Sequence, residues 1–312
     1  MNKIISLLPS ATEIVCALGF QDQLVGRSHE CDYPAGITDL PVCTEAKFPQ
    51  GSSAEIDQSV GALVQKGLSV YEVYNEVLEK LAPDFVVTQS QCEVCAVSMK
   101  DVEAAVCQLI SSNPQIINLE PVGFQDVFND ILAVGKALGV PQKAQQLVTN
   151  LLARIDSVEK TTQPIAHKKR VACIEWLSPL MNAANWVPTL VEKAGGVNLF
   201  GKEAQHSHYI QWADIEQQNP DVILIMPCGF GIARTLQEIN LLIDLPGWKE
   251  LPAVQNGQVY LTDGNQYFNR PGPRLADSVE IISEILYPET FGRKHPKKDW
   301  ISLDEALITS QI

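Results

Sequence analysis

Four of the eight cysteines in this chain stand beside turn-forming or acidic residues rather than inside apolar runs. They are Cys31 in His29-Glu30-Cys31, Cys92 and Cys95 in Cys92-Glu93-Val94-Cys95, and Cys228 in Pro227-Cys228-Gly229. Thiolates so placed could hold zinc or an iron–sulfur cluster. Cys92 and Cys95 also have the spacing of a redox pair. A single Cys-x-x-Cys is weak evidence for metal without a second pair at zinc-ribbon spacing, and free thiols are the plainer reading. His29 beside Glu30 has the chemistry of a metal ligand or general base; a loop histidine satisfied by backbone groups is equally consistent. Cys16, Cys107 and Cys173 lie in apolar runs and read as buried small hydrophobes. There is no Gly-x-Ser-x-Gly elbow and no Walker loop, and Gly195-Gly196 reads as a helix C-cap rather than a phosphate loop.

The elements that must carry these residues follow from hydrophobic periodicity. Lys3–Leu8 reads as a buried strand, followed by a helix over 11–18 with Ser10 as N-cap and Glu13 at the capping-box position. Gln23–Arg27 is a second strand and 28–60 is irregular. Val70, Val73, Val77 and Leu81 have helical spacing and predict a helix over 70–81. Strands follow at 84–88 and 115–119, with a helix over 99–110 between them. From Phe124 to Gln163 the strand signal vanishes, and two helices meet at Gly139 and Pro141. Strands return at 170–175, 221–226 and 257–261, with helices over 187–194 and 274–286. Residues after Phe291 are polar and basic, then briefly amphipathic over 303–308.

Strands alternating with helices of this length indicate parallel βα units. The expected fold is α/β: two Rossmann-like lobes with mainly parallel sheets, joined by a long bridging helix, with a ligand cleft between the lobes. The boundaries would be 1–122 for the first lobe, 123–165 for the connector, 166–290 for the second lobe and 291–312 for an appendage. Ligands of open α/β sheets bind beyond the carboxyl ends of the strands. Those ends gather His29, Glu30, Cys31, Gln89, Gln91, Trp176, Phe230, Tyr267, Phe268, Asn269 and Arg270, a set rich in aromatic, thiol and amide groups. Such a set suits a large, partly flat, polar-rimmed small molecule.

Composition narrows the partners. Lys and Arg number 23 against 37 Asp and Glu, a net charge of −14. A surface of that sign repels nucleic acid and anionic lipid. At 46% apolar and 19% charged the chain can bury substantial cores. Membrane insertion is not expected, because the most apolar run, 222–233, is broken by Pro227, Gly229 and Gly231. Met1-Asn2-Lys3 leads directly into the first core strand without the pattern of a secretory signal, which predicts a cytoplasmic protein.

The chain resembles a known family over residues 3–288. The carrying stretches are Ile5-Ser6-Leu7-Leu8-Pro9-Ser10-Ala11-Thr12-Glu13, Asp32-Tyr33-Pro34, Ala82-Pro83-Asp84 and Ala194-Gly195-Gly196-Val197-Asn198-Leu199-Phe200. Trp212, Asn219-Pro220-Asp221 and Asn269-Arg270-Pro271-Gly272-Pro273-Arg274 follow in order. Their arrangement is similar to that of the cobalamin-binding and iron-complex substrate-binding proteins of ABC importers, in a cysteine-containing subgroup. The resemblance implies a cobalamin or related corrinoid as ligand, held without covalent chemistry. The loop 28–34, Gln89 and its neighbours, Trp176, Trp212 and 266–270 would face it. A corrin offers flat faces to aromatic rings and a fringe of amides to polar groups, and His29 becomes a candidate lower axial ligand to cobalt. The resemblance also implies docking to ABC-transporter membrane subunits through one acidic residue per lobe, near Glu93 and Glu216. A competing expectation is a cytoplasmic metalloprotein or enzyme using Cys31, Cys92, Cys95 and Cys228. A third is a regulatory descendant of importers.

Overall fold

The computed structural model describes residues 2–66, 70–89 and 112–309. The chain divides into two compact units. The first comprises Met1–Gly51, Glu55–Pro121 and Gln125–Asn150; the second comprises Ser52–Ala54, Val122–Phe124 and Leu151–Ile312.

The first unit is built on a fully parallel sheet in the order β2-β1-β5-β6. Its strands are β1 (Ile4–Ser6), β2 (Leu24–Arg27), β5 (Phe85–Gln89) and β6 (Gln115–Leu119). Ile4, Ile5, Val86 and Val87 are completely buried, as expected where helices cover both faces of a parallel sheet. The helix Pro9–Ala17 begins two residues earlier than predicted. Pro9 takes the first-turn position, where a missing N–H costs nothing. Leu8 is therefore the N-cap, and Ser10 is buried inside the helix instead of capping it.

The helix predicted over 70–81 is two elements. A short antiparallel pair, β3 (Thr44–Ala46) with β4 (Tyr71–Val73), sets Tyr71 opposite Ala46 and Val73 opposite Thr44. Only Asn75–Leu81 is helical. Tyr71 and Val73 favour the pleated pairing, and Tyr71 joins Ile5, Leu7, Cys43, Val70, Leu78 and Val86 in one core. The helix Ser53–Gln65 likewise occupies part of the stretch read as irregular. The helix expected over 99–110 lies outside the described residues.

The helices Phe124–Ala137 and Pro141–Thr162 meet as anticipated. They approach so closely that a Cβ on Gly135 would lie 2.3 Å from that of Ala144. Residues of Pro141–Thr162 belong to both units, with the division at Asn150.

The second unit carries a six-stranded sheet whose main path is β12-β11-β10-β7-β8, with β9 paired to β7. Its parallel centre is β7 (Arg170–Trp176), β10 (Val222–Ile225) and β11 (Val259–Thr262). The short strands β8 (Met181–Asn182) and β9 (Val197–Asn198) complete one side. The other edge is β12 (Trp300–Ser302), antiparallel to β11. The described part of the expected appendage, residues 291–309, is instead built into this unit, because its strand closes the sheet and the helix Leu303–Thr309 packs into the same core. No described helix is long and apolar enough to cross a membrane.

One carboxylate of the first unit is in an unfavourable place. Asp130, on Phe124–Ala137, is pushed up to about 7 by burial, with Asp126 and Glu120 adding repulsion against one hydrogen bond from the Glu120 N–H. Its Oδ2 is buried and has no hydrogen-bond partner among the described residues. A folded value above the unfolded one, roughly 3.9, favours the protonated form. Its stabilising contribution is therefore complete below about pH 4 and lost as pH rises through about 7. Asp130→Asn should raise Tm at pH 8 by about 4 °C, equivalent to about 2 kcal/mol, and far less at pH 4. Thermal melts at the two pH values check this.

Candidate functional site

In each unit the parallel strands end at one edge of the sheet, and the loops beyond those ends carry most of the residues singled out in the sequence. In the first unit, Arg27 at the end of β2 shapes the loop that follows. Its guanidinium donates to the carbonyls of Ser28, His29, Cys31 and Thr38. Four backbone acceptors on one cation fix the path of 28–38 without regular structure.

Within that loop His29 is held from one side. Its Nδ1 lies 2.8 Å from Thr44 Oγ1, its backbone N–H donates to the same oxygen at 3.2 Å, and its ring packs 5.3 Å from that of Tyr71. The Tyr71 hydroxyl donates to Glu30 Oε1 at 2.9 Å, and that oxygen is 3.9 Å from His29 Nε2. Burial lowers the imidazole pKa below its ordinary value, outweighing the attraction of Glu30. The shift favours the neutral ring, and its side chain remains 27% exposed. Thr44 and Tyr71, which hold this arrangement, were missed by sequence reasoning; a strand-like run bounded by Pro41 and Pro49 was the available signal.

Cys31 faces inward. It is 1% exposed, with Thr12 Oγ1 3.0 Å from its sulfur, and Thr12 also donates to Ser6 Oγ. Burial pushes the Cys16, Cys43 and Cys173 thiols up to about 12, far from the thiolate form that attacks or binds metal. Cys228 sits half-buried at the turn after β10. Iodoacetamide applied to the native protein at pH 8 should therefore modify Cys228 and spare Cys16, Cys43 and Cys173, as read by peptide mass mapping. Gln91, Cys92, Glu93 and Cys95 lie outside the described residues.

Among the described residues, one group of metal-ligating side chains comes within 4.8 Å: Asp277, Glu280 and His295. It contains neither Cys31 nor Cys228. Its two carboxylates already pair with the Arg154 guanidinium, at 2.7 Å for Glu280.

The edge of the second sheet is aromatic. Trp176 ends β7, and its ring centroid lies 5.1 Å from that of Phe230. Arg234 lays its guanidinium over Phe230 at 4.2 Å and pairs with Glu238. The Glu238 carboxylate also accepts from Ser53, at 3.0 Å from N and 2.5 Å from Oγ. The Trp176 indole N–H donates to the Ser53 carbonyl at 3.1 Å. Arg234 and Glu238 are four residues apart, a local ion-pair spacing, but nothing local points to Ser53, which is 185 residues from Glu238.

The loop after β11 packs against the loop after β10. A Cβ on Gly264 would lie 2.1 Å from the Pro227 carbonyl oxygen, so only glycine allows that approach. Asn269 spends its side-chain amide on the Met226 and Gly264 carbonyls, and Arg270 is buried and donates to Asn265. Tyr267 stays half-buried with Arg274 5.1 Å from its ring, and burial together with Asp299 raises its pKa.

Two of the expected contact residues also make contacts within the second unit. Phe268 is completely buried, and its carbonyl accepts the Trp186 indole N–H at 2.5 Å. Trp212 stacks on Trp248 at 5.8 Å, and its indole N–H is spent on the Pro246 carbonyl. Glu216 is exposed on the same helix, Trp212–Gln218, with its carboxylate over Gly247.

Comparison with known proteins follows this geometry. The family described as periplasmic binding protein matches residues 4–266. The ABC transporter substrate-binding lipoprotein YvrC of Bacillus subtilis is 25% identical over 296 residues, 93% of this chain and 81% of that protein. The vitamin B12-binding protein of Vibrio cholerae is 23% identical over 292 residues, 91% of this chain and 89% of its own. Among solved structures, the periplasmic heme-binding protein RhuT from Roseiflexus sp. RS-1 superposes with a TM-score of 0.69 at 19% identity. The match covers 93% of this chain and 99% of RhuT.

These relatives overturn the expectation of a cytoplasmic protein, because they are a lipoprotein and periplasmic binding proteins, which are exported. The expectation rested on a leader pattern, and a leader takes no part in the folded core, so the residues that build the fold carry no record of export. The chain belongs to the periplasmic binding protein family, as a substrate-binding protein of the ABC-importer type.

Proposed function

We propose that the chain captures a corrinoid, a cobalamin or a close relative, and delivers it without chemistry to the membrane subunits of an importer. The observation that carries this reading is the Trp176–Phe230 ring pair with Arg234 stacked on it, at the carboxyl edge of the second sheet. Aromatic faces and a delocalised cation match the flat face and amide fringe of a corrin. The first unit offers His29 and Glu30 at the edge of its own sheet; at the edge of the second sheet Trp176 and Tyr267 are the contacts on this reading, with buried Phe230 packed on Trp176. Asn269 and Arg270 act behind them, holding the loop that presents Tyr267. The relatives add weight, since one is a vitamin B12-binding protein and another a heme-binding protein. Exposed Glu216 would meet the importer, with Glu93 as its counterpart.

Calorimetric titration with cyanocobalamin, dicyanocobinamide, hemin and a ferric hydroxamate tests the assignment. A dissociation constant in the micromolar range or tighter for the cobalt compounds, at least tenfold below that for hemin, is the expected result. Preference for hemin or the hydroxamate, with no heat from either corrinoid, would replace it.

A further inference from the structure

The His29 cluster has hydrogen-bonding arithmetic that the reading above leaves unused. Thr44 Oγ1 has one proton and two lone pairs. Its proton goes to Ser28 Oγ at 3.1 Å, and one lone pair accepts the His29 backbone N–H at 3.2 Å. With that proton on Ser28, Thr44 Oγ1 faces the His29 ring at 2.8 Å as an acceptor, the arrangement in which Nδ1 carries the ring proton. The other nitrogen, Nε2, then holds its lone pair in the plane of the ring. Among the described residues Nε2 meets only Glu30 Oε1, at the long distance of 3.9 Å, while that oxygen accepts from Tyr71 at 2.9 Å.

A neutral imidazole with one nitrogen donating to an oxygen and the other open is how histidine ligates metals, the outer hydrogen bond fixing tautomer and ring direction. The ring is fixed further by packing on Tyr71 at 5.3 Å and by a loop tied to Arg27. Its place two residues beyond the carboxyl end of β2 puts it at the ligand-binding edge of its sheet. Cys31 does not compete, because it is buried against Thr12.

We propose that His29 Nε2 is an axial ligand to the metal at the centre of the captured macrocycle, with Thr44 as the positioning residue behind it. This rests on the corrinoid reading and sharpens its substrate class: a metal complex with an open or exchangeable axial position. The Nε2 lone pair forms the coordinate bond, a water leaves the metal, and the proton stays on Nδ1 in its bond to Thr44. No redox change is involved.

Cob(II)inamide, which presents no nitrogen base of its own, is the probe. Electron paramagnetic resonance of its complex with the full chain should show three-line splitting from one axial 14N. The splitting should become two-line in protein labelled with 15N-imidazole histidine. His29→Ala should abolish it and weaken diaquacobinamide at least thirtyfold, but dicyanocobinamide, whose axial positions are blocked, only a few-fold. Wild-type binding of dicyanocobinamide without nitrogen splitting from cob(II)inamide would overturn the ligation and leave the corrinoid reading standing. Failure of the wild-type protein to bind either cobinamide would remove both. Splitting that persists unchanged in His29→Ala would assign the bond to another group and likewise overturn the proposal.

Discussion

Phe230→Ala is expected to raise the dissociation constant for cyanocobalamin about thirtyfold, close to 2 kcal/mol. The ring does two things at the edge of the second sheet. It packs 5.1 Å from Trp176, and it carries the Arg234 guanidinium 4.2 Å above its face. An aromatic pair contributes about 1 kcal/mol beyond its buried area, and a cation over a ring about 0.5–2. The ring itself is only 6% exposed, so truncation acts by releasing the Trp176 ring and the Arg234 guanidinium that it holds in place. Phe230→Tyr, which keeps the ring, should lose less than threefold. The comparison is made by calorimetry on proteins whose melting temperatures agree with wild type. Trp212→Phe supplies the contrast: Trp212 stacks on Trp248 within the second core, so affinity should change less than twofold while stability falls. Equal losses at Phe230 and Trp212 would mean that neither effect is local to a ligand surface.

That contrast also marks what the sequence could disclose. Strands such as Val222–Ile225 are legible because a parallel strand buried on both faces is a continuous apolar run. The β3–β4 pair was not, because three-residue strands have too little length to show alternation. The spacing of Val70, Val73, Val77 and Leu81 also fits a helix equally well. For the candidate site, the strand-end rule singled out His29, Glu30, Trp176, Phe230 and Tyr267, which lie at or just beyond strand ends or in the loops that follow. It also swept in Phe268, which is completely buried and has a φ of +64°. The groups that position the site stayed hidden. Thr44 and Tyr71 reach the loop from 15 and 41 residues away, and Glu238 reaches Ser53 across 185. No local pattern encodes such partners, because the fold alone brings them together.

The same blindness applied to the end of the chain, where the larger effect on stability is expected. Glu284 on the helix Leu275–Leu286 is only 2% exposed, yet it is charged. Its carboxylate accepts from His295 Nδ1 at 2.8 Å, from the His295 backbone N–H at 3.3 Å and from the Trp300 indole at 3.0 Å. Burial alone would raise its pKa, but these bonds outweigh it and hold the carboxyl below its ordinary value. They fasten the polar stretch before β12 to the centre of the second unit, which is how a segment with the composition of a tail becomes a sheet edge. Glu284→Ala should cost about 3–5 kcal/mol, since it orphans a buried indole N–H and removes the carboxylate hydrogen-bonded to His295. His295 responds in the opposite sense: the Glu284 hydrogen bond raises its pKa. Its contribution is complete below the unfolded value near 6.5 and is lost as pH rises through the raised folded one. Denaturant unfolding from pH 5.5 to 9 should show wild-type stability falling with pH across that window, with a flatter profile in His295→Asn. Parallel profiles would place the pH dependence elsewhere. Hydrogen exchange in Glu284→Ala should report opening first at Trp300–Ser302, because the antiparallel pairing of β12 with β11 has lost the anchor that aligned it.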